Sequence, residues 1–325
     1  MRHFILITLT ALVILSCGDK KSANERILFD SSGNVNNILV VTSNDLWKGS
    51  VGEAIRGVLS TPIYGFPVDE PMFSINQIPT QVFSDFVTRN RSILKIETGK
   101  QAEFKVSENV YAKPQKVIVV AGKTKTEIIG LLKEHTEKIL EEFKKEELRE
   151  QMRRIGKSLN RTKSIEETLG LSIKFQTAYR IAKQTDDFFW LRKDISTGTT
   201  NILIYELPQS AITKNDDVIN QVIKIRDSIG KQYISGPVDG SFMITENAYT
   251  SFQIETIIDN KMAFETRGLW QVEGAFMGGP YINYVIEDKI NKRWVVLEGF
   301  AFAPSVEKRN HMFELEAIIK SVNIN

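Results

Sequence analysis

A single cysteine in 325 residues, Cys17, leaves this chain no internal disulfide to fold around. Any stable body must therefore rest on a noncovalent core, even though exported chains in oxidising compartments usually carry cysteines in pairs. The position of Cys17 says as much as its solitude. Arg2 and His3 open the chain, and an uncharged run from Phe4 to Ser16 then leads directly to the cysteine. A bilayer-spanning helix needs about 20 apolar residues, so this shorter run reads as a secretory signal and not as a transmembrane anchor. No later stretch is long and apolar enough to span.

The segment Ile14-Leu15-Ser16-Cys17-Gly18 resembles the lipobox of bacterial lipoproteins. It has a branched apolar residue three positions before the cysteine and small residues on either side of it, while Leu15 is bulkier than is usual at its place. The resemblance implies that Cys17 is the lipidation site: its thiol takes a diacylglycerol, the preceding bond is cut and the new amine is acylated. One acyl chain holds a membrane only marginally, whereas the three implied here give durable anchoring.

Removing residues 1–16 takes away Arg2 alone, leaving 41 basic side chains against 40 acidic. That balance gives no reason to expect nucleic acid or an acidic polymer as partner. With 42% hydrophobic and 9% aromatic residues, the remaining chain has enough apolar material for a real core and exceeds the usual size of one domain. Residues 17–36, rich in Lys, Ser, Asn and Asp, read as a flexible tether. The expected division is 1–16 signal peptide, 17–36 tether, 37–157 N-terminal domain and 158–325 C-terminal domain.

Along the first domain, Asn37–Thr42 is a compact β-branched run followed by the capping oxygens of Ser43, Asn44 and Asp45, predicting a strand and then a helix through Leu59. Met72–Ile78, Ser92–Thr98 and Lys116–Ala121 read as further strands, with a short helix over 81–88. Thr124 and Glu127 fit a capping box for one long helix to Gly156, whose apolar stripe includes Ile128, Leu132, Ile139 and Phe143. Its charge-dense second half is expected to be exposed and to project beyond the first domain. Pairs four apart, among them Glu150/Arg154, support it.

In the second domain Ser164 and Glu167 offer another capping box. Strands are expected at 172–175, 187–193, 201–207, 249–259, 262–273, 280–287 and 293–302, with helices over 215–232 and 307–321. The pattern predicts an α+β fold: two α/β-sandwich-like domains, each a largely antiparallel sheet with packed helices.

No residue stands out as catalytic, and neither a cofactor nor a metal is indicated. The mature chain has two histidines, His135 and His311, with no His-Glu-x-x-His spacing; His135 lies on the apolar stripe and reads as a half-buried helix histidine. No Gly-x-Ser-x-Gly elbow is present. Lys48–Glu53 follows a strand and opens a helix, yet lacks the glycine patterns of phosphate loops, so its glycines read as places where a helix approaches a sheet. Asp186-Asp187, Asp216-Asp217 and Glu166-Glu167 are sequence neighbours, whereas acid–base work needs carboxylates converging across a cleft. Trp47, Trp190, Trp270 and Trp294, with Tyr281 and Tyr284, suit either core or stacking on a sugar or peptide, and their alternating strand positions favour core. Asp30-Ser31 and Asp227-Ser228 resemble the acidic-serine acceptors of O-glycosylation in Bacteroidota, which makes Ser31 and Ser228 candidate modification sites.

Together with the lipobox, Asn90-Arg91-Ser92-Ile93-Leu94, Ala112-Lys113-Pro114-Gln115 and the segment from Asp187 to Arg192 are similar to an uncharacterised family of Bacteroidota outer-membrane lipoproteins, a domain of unknown function. The resemblance implies a compartment and no activity. The C-terminal strands and closing helix are loosely similar to the sandwich of photosystem PsbP-like proteins, which are binding or assembly modules. The expected function is a lipid-anchored, non-enzymatic envelope module with a protein, glycan or lipid ligand; the alternative is a carboxylate-dependent envelope hydrolase. The mixed charge of Gly18-Asp19-Lys20-Lys21 lacks an acid-rich surface-export run, so the outer membrane facing the periplasm is the expected address.

Overall fold

Asn37–Val41 (β1) carries apolar residues on both faces because both faces are covered. Ile38 and Val40 pack into one cluster and Leu39 and Val41 into another, so no alternation with polar residues is needed. The structure is a computed structural model that describes residues 27–325 apart from 64, 67–68 and 162.

Around β1 the N-terminal sheet adds Ser74–Ile78 (β2), Ser92–Thr98 (β3), Glu103–Glu108 (β4) and Lys116–Gly122 (β5), in the order β2-β1-β3-β5-β4. The pairings β1 with β2, β1 with β3 and β3 with β5 are parallel; only the β4–β5 edge is antiparallel. The mixed α+β class and the two-domain layout are as expected, but the sense of this sheet corrects the expectation of antiparallel pairing in both halves. Its cause is topological. Asn44–Lys48 (α1) and Ser50–Leu59 (α2) carry the chain back from β1, and parallel neighbours need such crossovers.

Ser43 caps α1, its Oγ accepting from the Leu46 amide at 3.3 Å. The turn to α2 depends on Gly52, where a Cβ would lie 1.8 Å from the Trp47 carbonyl oxygen. The close approach made by this glycine is thus between two helices, and not between helix and sheet.

The single long helix expected from Thr124 breaks at His135 into Lys125–Glu134 (α3) and Thr136–Gly156 (α4). The first cap is as expected: the Glu127 amide donates to Thr124 Oγ1 at 3.2 Å, while Glu127 Oε2 accepts the Lys123 amide at 2.8 Å. The second half of α4 does not project into water. Glu146, Glu147, Glu150 and Ile155 are buried, because this stretch runs between the two sheets. Residues 29–36, read as the end of a tether, are docked as well. Phe29–Asp30 pairs in parallel with Ala112–Lys113, and the Asn36 amide donates to Glu147 Oε2 at 2.8 Å.

Ser164–Leu169 (α5) starts with Lys163 at its cap, so the second expected capping box is absent. The C-terminal sheet comprises Arg180–Gln184 (β6), Phe188–Ile195 (β7), Gly198–Pro208 (β8), Phe242–Thr245 (β9), Phe252–Ile258 (β10), Lys261–Glu273 (β11), Ala275–Asp288 (β12) and Arg293–Phe302 (β13). It is antiparallel throughout, ordered β9-β11-β12-β13-β8-β7-β6, with β10 on the outer edge of β11. The strand expected over 172–175 shortens to Leu171–Ser172, which pairs with Asn323–Ile324. Strands β4, β6 and β9 are not among those expected from the sequence, although β4 alternates Phe104 and Val106 with polar residues.

Alternation sorts this sheet into two cores. Ile202, Ile204, Ile282, Tyr284 and Leu297 face Arg309–Ile319 (α7), and Leu203, Tyr205, Tyr281 and Val296 face Val218–Tyr233 (α6). The first core does not stop at the domain boundary: Phe66 and Ile155 belong to it, and Ile63, Leu148 and Met152 pack against it. Among the described residues no helix is long and apolar enough to cross a membrane.

Candidate functional site

The residues singled out in the sequence are not brought together. Cys17 lies outside the described residues. Ser31 sits in the docked N-terminal segment, where its amide donates to the Lys113 carbonyl at 3.2 Å. Ser228 is exposed on α6, its hydroxyl donating to the Lys224 carbonyl at 2.9 Å. His135 stacks on Phe104 with ring centroids 4.0 Å apart. His311 is on α7, half-buried; burial first and Lys193 second press its pKa below the usual histidine value. Thr185 binds Asp187, and Asn220 binds Asp217, which leaves these acids in local surface contacts. Trp190, Trp270 and Trp294 each donate their indole N–H within the body, to Asn201, Ala301 and Gln209. Among the described residues no group of three or more histidines, cysteines and acids is placed to hold a metal ion.

The site that the fold builds lies between the two sheets. The loop after α2 reaches across to β11, and at Gly65 its φ is +86°. A Cβ there would come within 2.9 Å of Arg267 Cβ, so only glycine allows this approach. The Gly65 amide donates to the Tyr249 hydroxyl at 3.3 Å. Further along the loop, the buried Glu70 carboxylate accepts the amides of Lys308 and Arg309 at 2.7–2.9 Å. Glu70 thus caps the N-terminus of α7 from the other domain, where free amides and the helix dipole favour an anion. Arg309 returns the contact, donating to the Pro71 carbonyl at 3.0 Å and to Ser74 Oγ at 2.8 Å.

Behind these contacts is a cavity of about 220 Å³. Ile63, Phe66 and Met72 line it from one domain, and Phe252, Ile254, Met312 and Phe313 from the other. Its polar wall is a chain of charges. Glu265 and Arg267 are two apart on β11 and so share a face; Arg267 Nε donates to Glu265 at 2.6 Å and Nη2 to Glu316 at 2.9 Å. Tyr284, the register partner of Glu265 on β12, donates its hydroxyl to Glu265 Oε2 at 2.8 Å. Glu316 on α7 also binds Lys144 at 2.8 Å and Lys320 at 2.7 Å.

Burial by itself raises the Glu316 carboxyl, and Arg267, Lys144 and Lys320 more than reverse this, holding it well below the usual carboxylate range. Burial likewise opposes the charge of Arg267, but Glu316 and Glu265 keep it firmly protonated. Tyr284 is driven up, first by burial and then by the two carboxylates. Two buried carboxylates therefore do flank a cavity, as a hydrolase would require. However, a guanidinium stands between them, and a carboxyl held ionised by three cations has no proton to give as a general acid. What the arrangement supplies is an apolar chamber one wall of which carries Glu265, Arg267, Glu316 and Lys144 in mutual ion pairs.

The sequence does not mark this site. Lys144 and Glu316 sit in helices whose charged residues look like solvated faces, and Glu265 and Arg267 look like the polar side of a strand. No short-range signal marks their convergence.

Residues 158–321 match the model of a family described as a domain of unknown function, DUF4837, and residues 31–156 match a second, DUF8532. No curated protein matches the chain. Among solved structures, the Ran-binding protein Mog1p of Saccharomyces cerevisiae is similar at a TM-score of 0.33 and 7% identity, over 51% of this chain and 95% of that one. LpqN of Mycobacterium tuberculosis, involved in cell envelope biogenesis, is similar at 0.27 and 10%, over 47% of this chain and 82% of that one. Likeness at this level bears on no role.

Proposed function

We propose that this chain, which belongs to the DUF4837 family, a domain of unknown function matched over residues 158–321, is a lipid-anchored module of the cell envelope that binds a partner without transforming it. Cys17 carries the anchor, and the body faces the periplasm from the outer membrane. The binding seat is the chamber between the two sheets. The observation that carries this reading is the chamber itself: apolar side chains from both domains line it, while its carboxylates are consumed in ion pairs with Arg267 and Lys144. Concave, mostly apolar sites with a few fixed polar groups, at a junction of domains, are the usual form of a ligand seat.

The test is photocrosslinking in membranes of the producing cell. A benzophenone amino acid at Ile254, on the partly exposed rim of the chamber, is expected to give a discrete light-dependent adduct. The same probe at Val82, exposed and outside the chamber lining, serves as control. Equal products at both positions, or none at either, overturn the reading. The anchor is read separately, by incorporation of an alkynyl palmitate that Cys17→Ser should abolish.

A further inference from the structure

Resting on the reading that Cys17 carries a lipid, we infer that the corner of the body formed by Ile27, Phe29 and Phe86 is seated on the bilayer itself. The occupant of this surface is the lipid interface, and the contact is apolar.

The corner lies where the described chain begins. Ile27 is 96% exposed, Phe29 63% and Phe86 74%. Single apolar residues at a surface are ordinary, but these three adjoin. Phe86 and Arg89 are three apart on the 3-10 turn Asp85–Arg89 and so stand on one edge of it. The Arg89 guanidinium lies over the Phe29 ring, 3.8 Å from its centroid, and Ile27 precedes Phe29 by two residues.

This corner is fastened to both domains. The Ser32 amide donates to the Arg89 carbonyl at 2.8 Å, and Phe29–Asp30 pairs with Ala112–Lys113. Arg91 donates to the carbonyls of Gly33 and Asn34 at 3.3 and 2.7 Å, and Asn36 Nδ2 donates to Asn310 Oδ1 on α7 at 3.1 Å. From Phe29 onward the chain that leaves the anchor is therefore part of the body.

Chain length then decides which face meets the membrane. Ile27 lies ten residues beyond Cys17, and ten residues reach at most about 35 Å even when fully extended. A compact body of this length has a radius of gyration of about 19 Å and is roughly 50 Å across. The connection is shorter than the body is wide. The side opposite Ile27 thus cannot be pressed onto the bilayer, whereas the corner bearing Ile27 can.

Charge does not choose the occupant. On the segments that form the corner, Arg89 and Lys113 oppose Asp30 and Asp85, and Arg153, which feels the charge of Asp30, is bound to Glu150 at 2.7 Å. With the signs so mixed, the gain comes from withdrawing apolar side chains from water, which a neutral lipid surface provides as well as an anionic one.

The test holds the mature chain, residues 17–325 with Cys17→Ser, on phosphatidylcholine vesicles through an N-terminal histidine tag and a nickel-chelating lipid. The tag supplies attachment whatever Cys17 carries, so failure of the contact and failure of the anchor, which palmitate labelling reads, are told apart. Cys17→Ser leaves no other thiol, so a single introduced cysteine accepts an NBD fluorophore. Label on Phe86→Cys is expected to be quenched by nitroxide-bearing phosphatidylcholine about twofold or more above label on Phe276→Cys or Ile290→Cys. Those exposed controls stand at opposite ends of β12, roughly 45 Å apart, and so sample both ends of the C-terminal sheet. Ile27→Ser combined with Phe29→Ser should at least halve the quenching at position 86, and both positions are exposed, so folding is not at stake. In native membranes the benzophenone at Val82, four residues before Phe86, is then expected to take up lipid alone, a product that mass distinguishes from the Ile254 adduct. Equal quenching at the three positions, none at position 86, or quenching there that the double substitution leaves unmoved overturns the inference. Quenching that requires phosphatidylglycerol and is lost in high salt overturns the apolar contact.

Discussion

The guanidinium of Arg267 on a C-terminal strand donates from Nη2 to the carboxylate of Glu316 on the closing helix at 2.9 Å, with both side chains largely out of water. Nε of the same residue binds Glu265, so one cation separates two buried anions beside the interdomain chamber.

Removing that cation should be far more harmful than removing a surface charge. Arg267→Leu leaves Glu265 and Glu316 facing each other without their bridge, and breaking a buried pair from one side costs about 3–5 kcal/mol. Denaturant unfolding should show a loss of this size. Replacing exposed Lys100, whose partner is Glu97, should leave stability nearly unchanged. Equal losses at the two positions would refute the assignment of the network as buried.

Acid should unfold the protein partly through its paired carboxylates. Glu316 is held well below its ordinary value, and Glu150, raised by burial but lowered further by Arg153, Arg154 and Arg91, falls to about 2. A carboxyl with a depressed folded-state pKa contributes stability that is full above its unfolded value and is lost as pH falls through the folded one. From the ordinary value of 4.5 down to about 2, melting temperature should therefore drop. Glu146 and Glu298, pushed up by burial, act with the opposite slope, but above 4.5, before the acid fall begins. Glu150→Gln should lower stability at neutral pH and flatten the acid limb; an unchanged limb sinks this account.

Gly52 offers a test of packing that involves no charge. A Cβ placed 1.8 Å from the Trp47 carbonyl oxygen forces α1 and α2 apart. Gly52→Ala should destabilise by roughly 1–3 kcal/mol, the range for overpacking, despite alanine's better helix propensity. The neighbouring Gly57, whose Cβ would meet nothing within 4 Å, provides the contrast: Gly57→Ala should be neutral or stabilising. Thermal melts of both variants decide the matter.

Cys17→Ser should abolish fatty-acyl labelling and shift the protein from the membrane fraction to the soluble fraction. Retention in membranes without label would point to a different anchor.

Much of the chain's construction could be read from its residues. β1 announces itself by a run of β-branched residues, the β-rich block from β10 to β13 by long alternating runs, and the start of α3 by Thr124 and Glu127, whose capping bonds form. Such signals are local, because hydrophobic periodicity and capping are decided within a few residues. The same locality hides long-range partners. Nothing near Glu147 shows that it will be buried, since Arg91 and Ser92 come from 56 and 55 positions away to bind it. From its own residues α4 therefore reads as a projecting charged rod, whereas it is the polar seam between two sheets. The sense of the N-terminal sheet was likewise hidden, as it depends on which strands the crossovers make adjacent and not on any strand's own composition.

What the sequence by itself determined was the mixed α+β class, the layered division into two domains and the absence of any disulfide, because these follow from element order and from a cysteine count of one. The tertiary structure alone decided that Lys144, Glu265, Arg267, Arg309 and Glu316 meet at one chamber. Charged residues far apart in the chain carry no mark of their partners, and only the folding of two sheets against a shared seam removes water from between them and gives their pairing its strength.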